Sequence, residues 1–295
     1  VRDRVQLFGK LLTSLATQWR ADFELIVVVD PEQEVPFTET CAQVREFFDA
    51  SVIPSPTSGA GPGRNYGARN AVGRYLWFVD SDDLISPRGV SAVARRAQND
   101  VSDIILFQAE HFVHPDGEPS VAEWFLRHEG LEWGRHYSTC EISHRLLQLT
   151  SPSPWNLIFM REFFMKEALA FDNLPSSNDL RCVMNALAIA KEVVLHEDVI
   201  YRYRRSPPMP REAAVDNTSL PRAMRALRRD LIRLGHFSHL FDSYQLFSRR
   251  VLVYWCLRSN LFRRCILLIR DFPELLSDAL RRNPMAYPQH TKGRL

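Results

Sequence analysis

Apolar positions in the first hundred residues switch repeatedly between two periods. Val5, Phe8, Leu11, Leu12, Leu15 and Trp19 recur at helical spacing, which predicts a helix over 5–19 with one packed face. Residues 24–30 form a β-branched run, Glu-Leu-Ile-Val-Val-Val-Asp, closed by Pro31; that pattern belongs to a buried strand. Residues 38–48 read as a helix and 51–53 as a short strand, and the Pro-, Gly- and Ser-rich stretch 54–63 reads as a loop. A helix over 64–73, a strand over 75–79, a helix over 87–98 and a strand over 102–107 complete the alternation. Strands and helices at this interval predict βαβ units, hence an α/β fold with one mixed, mainly parallel sheet. Beyond residue 120 helical patterns dominate. Residues 222–234 and 244–269 read as amphipathic helices with Arg-rich faces.

At 295 residues, with 45% apolar and 24% charged positions, the chain is long enough to bury a sizeable core. Its apolar runs, 251–256 and 265–269 among them, fall short of the ~18–20 residues that span a bilayer. The opening residues are amphipathic rather than arranged like a signal peptide. Five scattered cysteines (41, 140, 182, 256 and 265) show no Cys-x-x-Cys spacing, so a reducing, cytoplasmic setting is expected. A net charge of +2 conceals an asymmetry: residues 1–150 carry 14 Lys and Arg against 21 Asp and Glu, and residues 151–295 carry 23 against 14. From Arg202 onward the ratio is 19 to 7. Arg-studded amphipathic helices suit peripheral contact with an anionic membrane surface, and a solvated helical cap explains them equally well. Nucleic acid is not among the expected partners.

The candidate chemistry concentrates in Tyr75-Leu76-Trp77-Phe78-Val79-Asp80-Ser81-Asp82-Asp83. An apolar strand runs straight into three carboxylates, at the end of the strand where open α/β sheets hold their ligands. Two aspartates at i and i+2 there can direct oxygens at one hard cation, Mg²⁺ or Mn²⁺. A solvated turn is the plainer reading, since Asp and Ser are turn formers.

Several segments, in order, resemble a family 2 glycosyltransferase of the GT-A fold. Residues 24–30 resemble its second strand with a nucleotide-contacting acid. Gly67-Ala68-Arg69-Asn70, Gly73 and 75–83 resemble its most specific block. Ser153-Pro154-Trp155-Asn156 with Phe159, Arg161 and Phe163 is similar to its acceptor-side segment. Residues 171–179 resemble the variant in which the usual Glu-Asp pair is Asn178-Asp179, and 199–204 the closing Tyr-x-Tyr-Arg strand. The resemblance covers about residues 7–206, and it implies a GT-A catalytic domain over 1–206 with a helical extension over 207–295. It also implies a nucleotide-sugar donor held by Asp30, Arg69, Asp80 and Ser81, a metal on Asp80 and Asp82, and Asp179 as the base that deprotonates the acceptor. A glycan or lipid-linked glycan at the inner face of a bacterial membrane is the implied acceptor. Transfer would be inverting and, without a Gln-x-x-Arg-Trp motif, non-processive.

The chain departs from the family in places. The first strand, ending Pro-x-(Tyr/Phe)-Asn, is missing, and with Val1 in place of an initiator methionine a fragment is the expectation. Asp30 is followed by Pro31, and Leu157 stands where the family has Lys. Taken alone, Asp179 reads as a helix N-cap before the apolar 180–190 run. Arg69 reads equally well as a surface arginine, Arg202, Arg204 and Arg205 as an edge strand or as a lid over phosphates, and Trp124, Trp133 and Trp155 as core or as rings that stack on an acceptor sugar. Two rival functions remain. A haloacid-dehalogenase-like phosphatase would use Asp80 as nucleophile and Asp82 as acid, although Asp83-Leu84-Ile85 replaces its Gly-Thr and only four lysines exist. The other is a non-catalytic binding relic.

Overall fold

A computed structural model describes residues 2–18, 23–30, 38–40, 42, 50–113, 120–121, 125–205, 218–257 and 261–280. In chain order the elements are α1 (Arg2–Ala16), β1 (Leu25–Val29), β2 (Ala50–Pro54), α2 (Ala60–Asn70), β3 (Tyr75–Trp77), β4 (Leu84–Ile85) and α3 (Gly89–Asn99). There follow β5 (Ile104–Val113), β6 (Ser120–Val121), β7 (His136–Ser138), β8 (Leu157–Met160), α4 (Arg161–Lys166), α5 (Leu180–Ile189) and β9 (Glu192–Arg205). The chain continues through α6 (Ser219–Arg233), α7 (Phe241–Leu257), α8 (Leu261–Asp271) and α9 (Pro273–Leu280).

The fold is α/β, as expected, and its strand pairing is mixed. Among the described residues β1 and β2 pair in parallel, and a second sheet has the order β3-β8-β5-β9-β4, with β6 on β5 and β7 on β9. Strands β5 and β9 run parallel. Strand β8 lies antiparallel to both β3 and β5. The start of β1 is tied to the approach to β3: one Glu24 carboxylate oxygen accepts from the Val72 and Gly73 N–H groups, both at 2.7 Å.

Both faces of the central strands are buried. Ile104, Leu106, Leu157 and Phe159 join one apolar cluster, and their sequence neighbours Ile105, Phe107 and Ile158 join the other. Successive strand residues point to opposite faces, so two covered faces demand the unbroken apolar runs seen in the sequence. Helices α1 and α3 supply Leu12 and Val90 to one cluster. Helix α5 and the C-terminal helices supply Val183, Leu227, Phe247 and Leu275 to the other.

Several boundaries differ from expectation. Strand β3 ends at Trp77, where its pairing with β8 stops, although Phe78 remains buried. Helix α2 begins at Ala60 instead of residue 64; Pro62 sits in its first turn, where a missing N–H is tolerated. The strand foreseen over 102–107 runs to Val113. The segment foreseen as one helix over 244–269 forms α7 and α8, with 258–260 outside the described residues. Of the helix foreseen over 38–48 only 38–40 and 42 are described, and Trp124 is not. Trp155 is core rather than free to stack on a sugar: its ring stacks on Tyr201 at 4.8 Å and Tyr203 at 5.6 Å, and its backbone carbonyl accepts the Trp77 indole N–H at 2.7 Å.

Tyr201, fully buried on β9, also fastens the acidic turn that follows β3. Its hydroxyl donates to Asp83 Oδ2 at 2.7 Å and accepts from the Asp80 N–H at 3.1 Å. Tyr201→Phe would leave both groups without that partner, and a buried polar group left unpaired costs about 1–3 kcal/mol. Urea unfolding is expected to show a loss of that size with the slope unchanged; wild-type stability would mean that the turn is held elsewhere.

Candidate functional site

Four segments meet at the C-terminal end of β3: the turn 80–83, the first half of α2, the loop 171–179, and the end of β9. The turn is fixed from β9. Asp83 Oδ1 accepts the Arg204 N–H at 2.6 Å, and the Arg204 Nε donates to the Asp82 carbonyl at 2.6 Å. With Tyr201 on its other oxygen, Asp83 is a buried anchor, and burial pushes its carboxyl well above the usual carboxylate range. Fastened this way, the backbone turns Ser81 and the Asp82 side chain toward solvent. Asp80 is only partly covered, its side chain 31% exposed.

Arg64 links the turn to the loop. It stands one turn into α2, and its guanidinium donates to Asp80 Oδ1 at 2.5 Å and to Asn178 Oδ1 at 2.7 Å. Its plane lies over the Phe171 ring at 5.4 Å. Facing Asp80 and Asp179, Arg64 holds its proton more firmly than an ordinary arginine, although burial works against it. Such a planar fork suits two oxygen acceptors held at a fixed angle.

The loop carrying Asp179 is pinned at its neck. Asn65 Oδ1 accepts the Phe171 N–H and Asn65 Nδ2 donates to the Phe171 carbonyl, each at 2.8 Å. The Asp172 N–H donates to the Asn178 carbonyl at 2.8 Å. Gly61 is required here: a Cβ on it would stand 2.0 Å from the Asp172 carbonyl oxygen, so only glycine lets α2 approach the loop so closely. Ser177 takes a left-handed conformation, φ 53°, a strained geometry that persists when its surroundings enforce it.

Asp179 occupies the N-cap position of α5, yet its side chain makes no capping hydrogen bond. Burial pushes its pKa up to about 6, Arg64 pulls it down, and Asp80 pushes it up again. A carboxylate poised near neutrality is suited to take a proton from a hydroxyl.

The remaining candidates spread out. Asp30, at the end of β1, accepts the Gly59 N–H at 3.3 Å, next to the start of α2. Arg69 lies in the last turn of α2, exposed, with its guanidinium over the Tyr66 ring at 5.8 Å. The guanidinium that reaches the carboxylates is therefore Arg64's, five residues earlier and on a different side of the helix. Arg202 pairs with Glu110 at 2.7 Å, and Arg204 clamps the acidic turn, so these two strand arginines serve the sheet and the turn. Sequence reasoning missed Arg64 and Tyr201 as parts of the site and did not separate Asp83, a buried anchor, from the open acids beside it. The Tyr201-Arg202-Tyr203-Arg204 pattern is the one signal for Tyr201, and it names no partner.

No cluster of three or more His, Cys, Asp or Glu arranged for a metal occurs among the described residues. The donor set at the turn still fits a hard cation in the manner of Mg²⁺, which takes one or two carboxylates and fills its remaining positions with water and substrate phosphate. Asp82 faces solvent, and Asp80 keeps an oxygen beyond the one bonded to Arg64.

Comparison with known proteins bears on this arrangement. EpsJ of Bacillus subtilis, described as an uncharacterized glycosyltransferase, is 24% identical over 210 residues, covering 66% of this chain and 56% of EpsJ. YibD of Escherichia coli, described likewise, is 22% identical over 237 residues, 78% of this chain and 64% of YibD. The chain thus spans less than two thirds of the length of either. TarS of Staphylococcus aureus, a poly(ribitol-phosphate) beta-N-acetylglucosaminyltransferase, is 32% identical over 105 residues, covering 34% of this chain and 18% of TarS. A crystal structure of TarS residues 1–349 with UDP-GlcNAc shares the fold, at a TM-score of 0.62 and 20% identity over 92% of this chain and 84% of that one. The model of the family described as Glycosyl transferase family 2 matches residues 2–166, which include Arg64 and the whole acidic turn and stop short of Asp179. That match spans more than half of the sequence, and the chain belongs to glycosyl transferase family 2.

Proposed function

We propose that this chain transfers a sugar from a nucleotide-diphosphate donor to a hydroxyl of a glycan or lipid-linked acceptor, with inversion and one sugar per encounter. The observation that carries the proposal is the joint hold of Arg64 on Asp80 and Asn178, which brings the strand-end acid and the loop of Asp179 to one guanidinium. Family membership favours a transferase over the phosphatase reading, and the TarS structure holding UDP-GlcNAc favours a UDP-sugar as the first donor to try.

In this reading the donor diphosphate lies over the turn 80–83. Mg²⁺ or Mn²⁺ held by Asp80 and Asp82 would supply positive charge to the diphosphate as it leaves. Ser81 and Asp30 line the donor side, and the Arg64 guanidinium adds a fixed positive charge where negative charge develops. The acceptor hydroxyl donates its proton to Asp179 while its oxygen attacks the anomeric carbon. The sugar–phosphate bond breaks, and its electron pair leaves with the diphosphate. Attack from the side opposite the leaving group inverts the anomeric configuration.

Membrane contact is a further part of the proposal. No helix among the described residues is long and apolar enough to cross a membrane. Helices α7 and α8 do expose Val253, Tyr254, Ile266 and Ile269, in the strongly basic last third of the chain. Apolar side chains among arginines suit the surface of an anionic leaflet.

The base, the metal and the membrane contact each have a direct test. Asp179→Asn keeps shape and removes the base, so turnover is expected to fall about 10²–10⁴-fold with donor affinity retained; near-full turnover would refute the assignment. Because Asp179 must be ionised to act, kcat/KM should decline as pH falls through about 6. Arg64→Gln removes the charge that lowers this pKa, so it should move the acid limb to higher pH. For the metal, Asp82→Ala should abolish the difference in UDP-sugar affinity between Mn²⁺ and EDTA in calorimetry, and an unchanged difference would sink the Asp82 assignment. For the membrane, the chain should float with phosphatidylglycerol vesicles and stay behind with phosphatidylcholine alone; equal behaviour with both would refute peripheral contact.

A further inference from the structure

A cleft of about 560 Å³ opens beside the neck of the loop that carries Asp179. One wall is Asp172 to Leu174, at the neck of that loop, and the other is α6, with Arg222, Arg225 and Arg229. These arginines stand at i, i+3 and i+7, so they share one face of the helix. Their helix is firmly seated: Ala223, Met224, Leu227 and Leu231 are buried on its opposite side. The arginine row is thus held in place by packing rather than carried on a loose segment.

The charges in the cleft do not cancel. Its acids, Asp172 and Asp230, are occupied by Arg181, whose Nη1 donates to Asp172 at 2.8 Å and whose Nε donates to Asp230 at 2.7 Å. The same Asp230 oxygen accepts the Asn185 amide at 2.8 Å. Arg225 pairs with Glu274 at 2.8 Å. Arg222 and Arg229 form no ion pair with any described residue. Two exposed guanidiniums flanking a third, over a cleft whose carboxylates are already taken, make a site for an anion that accepts several N–H bonds. Phosphate suits that geometry, because a guanidinium can give it two parallel hydrogen bonds.

We infer that this cleft binds a phosphate group of the acceptor, through Arg222 and Arg229, while the acceptor's reacting hydroxyl lies at Asp179, at the end of the same loop. The inference rests on the transferase reading above and deepens it: the acceptor is an extended molecule with a phosphate set back from the hydroxyl that receives the sugar. Two sources carry that chemistry, a phosphate-containing glycan or polyol chain and a lipid-linked phosphate.

The test uses the full chain and the variant Arg222→Ala/Arg229→Ala, which leaves the Arg225–Glu274 and Arg181 pairs intact. Three probes are titrated: inorganic phosphate, a synthetic glycerol-phosphate trimer, and phosphatidylcholine vesicles carrying a polyprenyl phosphate. Wild type is expected to bind the trimer or the vesicles, more weakly as salt rises, and the variant to bind roughly tenfold more weakly or worse, the scale of charge-assisted hydrogen bonds. The probe that discriminates identifies the source. Arg222→Lys/Arg229→Lys should recover part of the affinity, since charge returns without the fork. A variant that melts like wild type and binds every probe equally well overturns the inference, as does wild type that binds none of them. UDP-sugar binding by the unaltered chain is measured in parallel. Donor binding without any phosphate effect overturns this inference alone, whereas absent donor binding overturns the transferase reading and the acceptor assignment with it.

Discussion

Asp80, Asp83 and Asp179 stand close together at one end of a sheet, and the electrostatics of that crowding shape everything around it. Partly buried carboxylates repel one another and resist desolvation, so each needs a dedicated partner. Asp83 takes Tyr201 and the Arg204 N–H. Asp80 takes Arg64, which also faces Asp179. One guanidinium therefore serves the turn on one side and the loop on the other. The sites of Gly61 and Asn65 follow from this, since α2 has to lie against the loop for Arg64 to reach both.

The same crowding separates the roles of the acids. Asp83 is closed off and structural. Asp82 is open, with only its backbone engaged by Arg204. Asp179 lies between these extremes, buried enough to be lifted toward neutrality and close enough to Arg64 to stay ionisable. Environment, not residue type, tells these aspartates apart.

Behind the loop, the C-terminal helices share one apolar cluster with the sheet and α5. This packing turns a basic, amphipathic segment into a fixed wall. Arg181 occupies an acid on each wall, Asp172 and Asp230, and the surplus positive charge faces a cleft beside the loop that carries Asp179. The loop thus meets the acidic turn through Arg64 and borders the cationic cleft at its neck.

The sequence by itself determined the α/β class, the presence of strands at Leu25–Val29 and Tyr75–Trp77, and the family, because two-period apolar patterning and the Tyr75–Asp83 block are local signals. It also determined that Asp80, Asp82 and Asp179 deserved scrutiny. Only the tertiary structure decided which arginine enters the site. Arg69 sits in the block that marks the family, yet it is Arg64 that turns inward, since the packing of α2 against the Asp172 carbonyl sets the rotation of the helix. Only the fold joined Asp80 to Tyr201, 121 residues away, and set Trp155 between strands as core. The antiparallel return of β8 was equally hidden. Apolar runs specify burial on both faces, and burial is blind to the direction in which a strand runs.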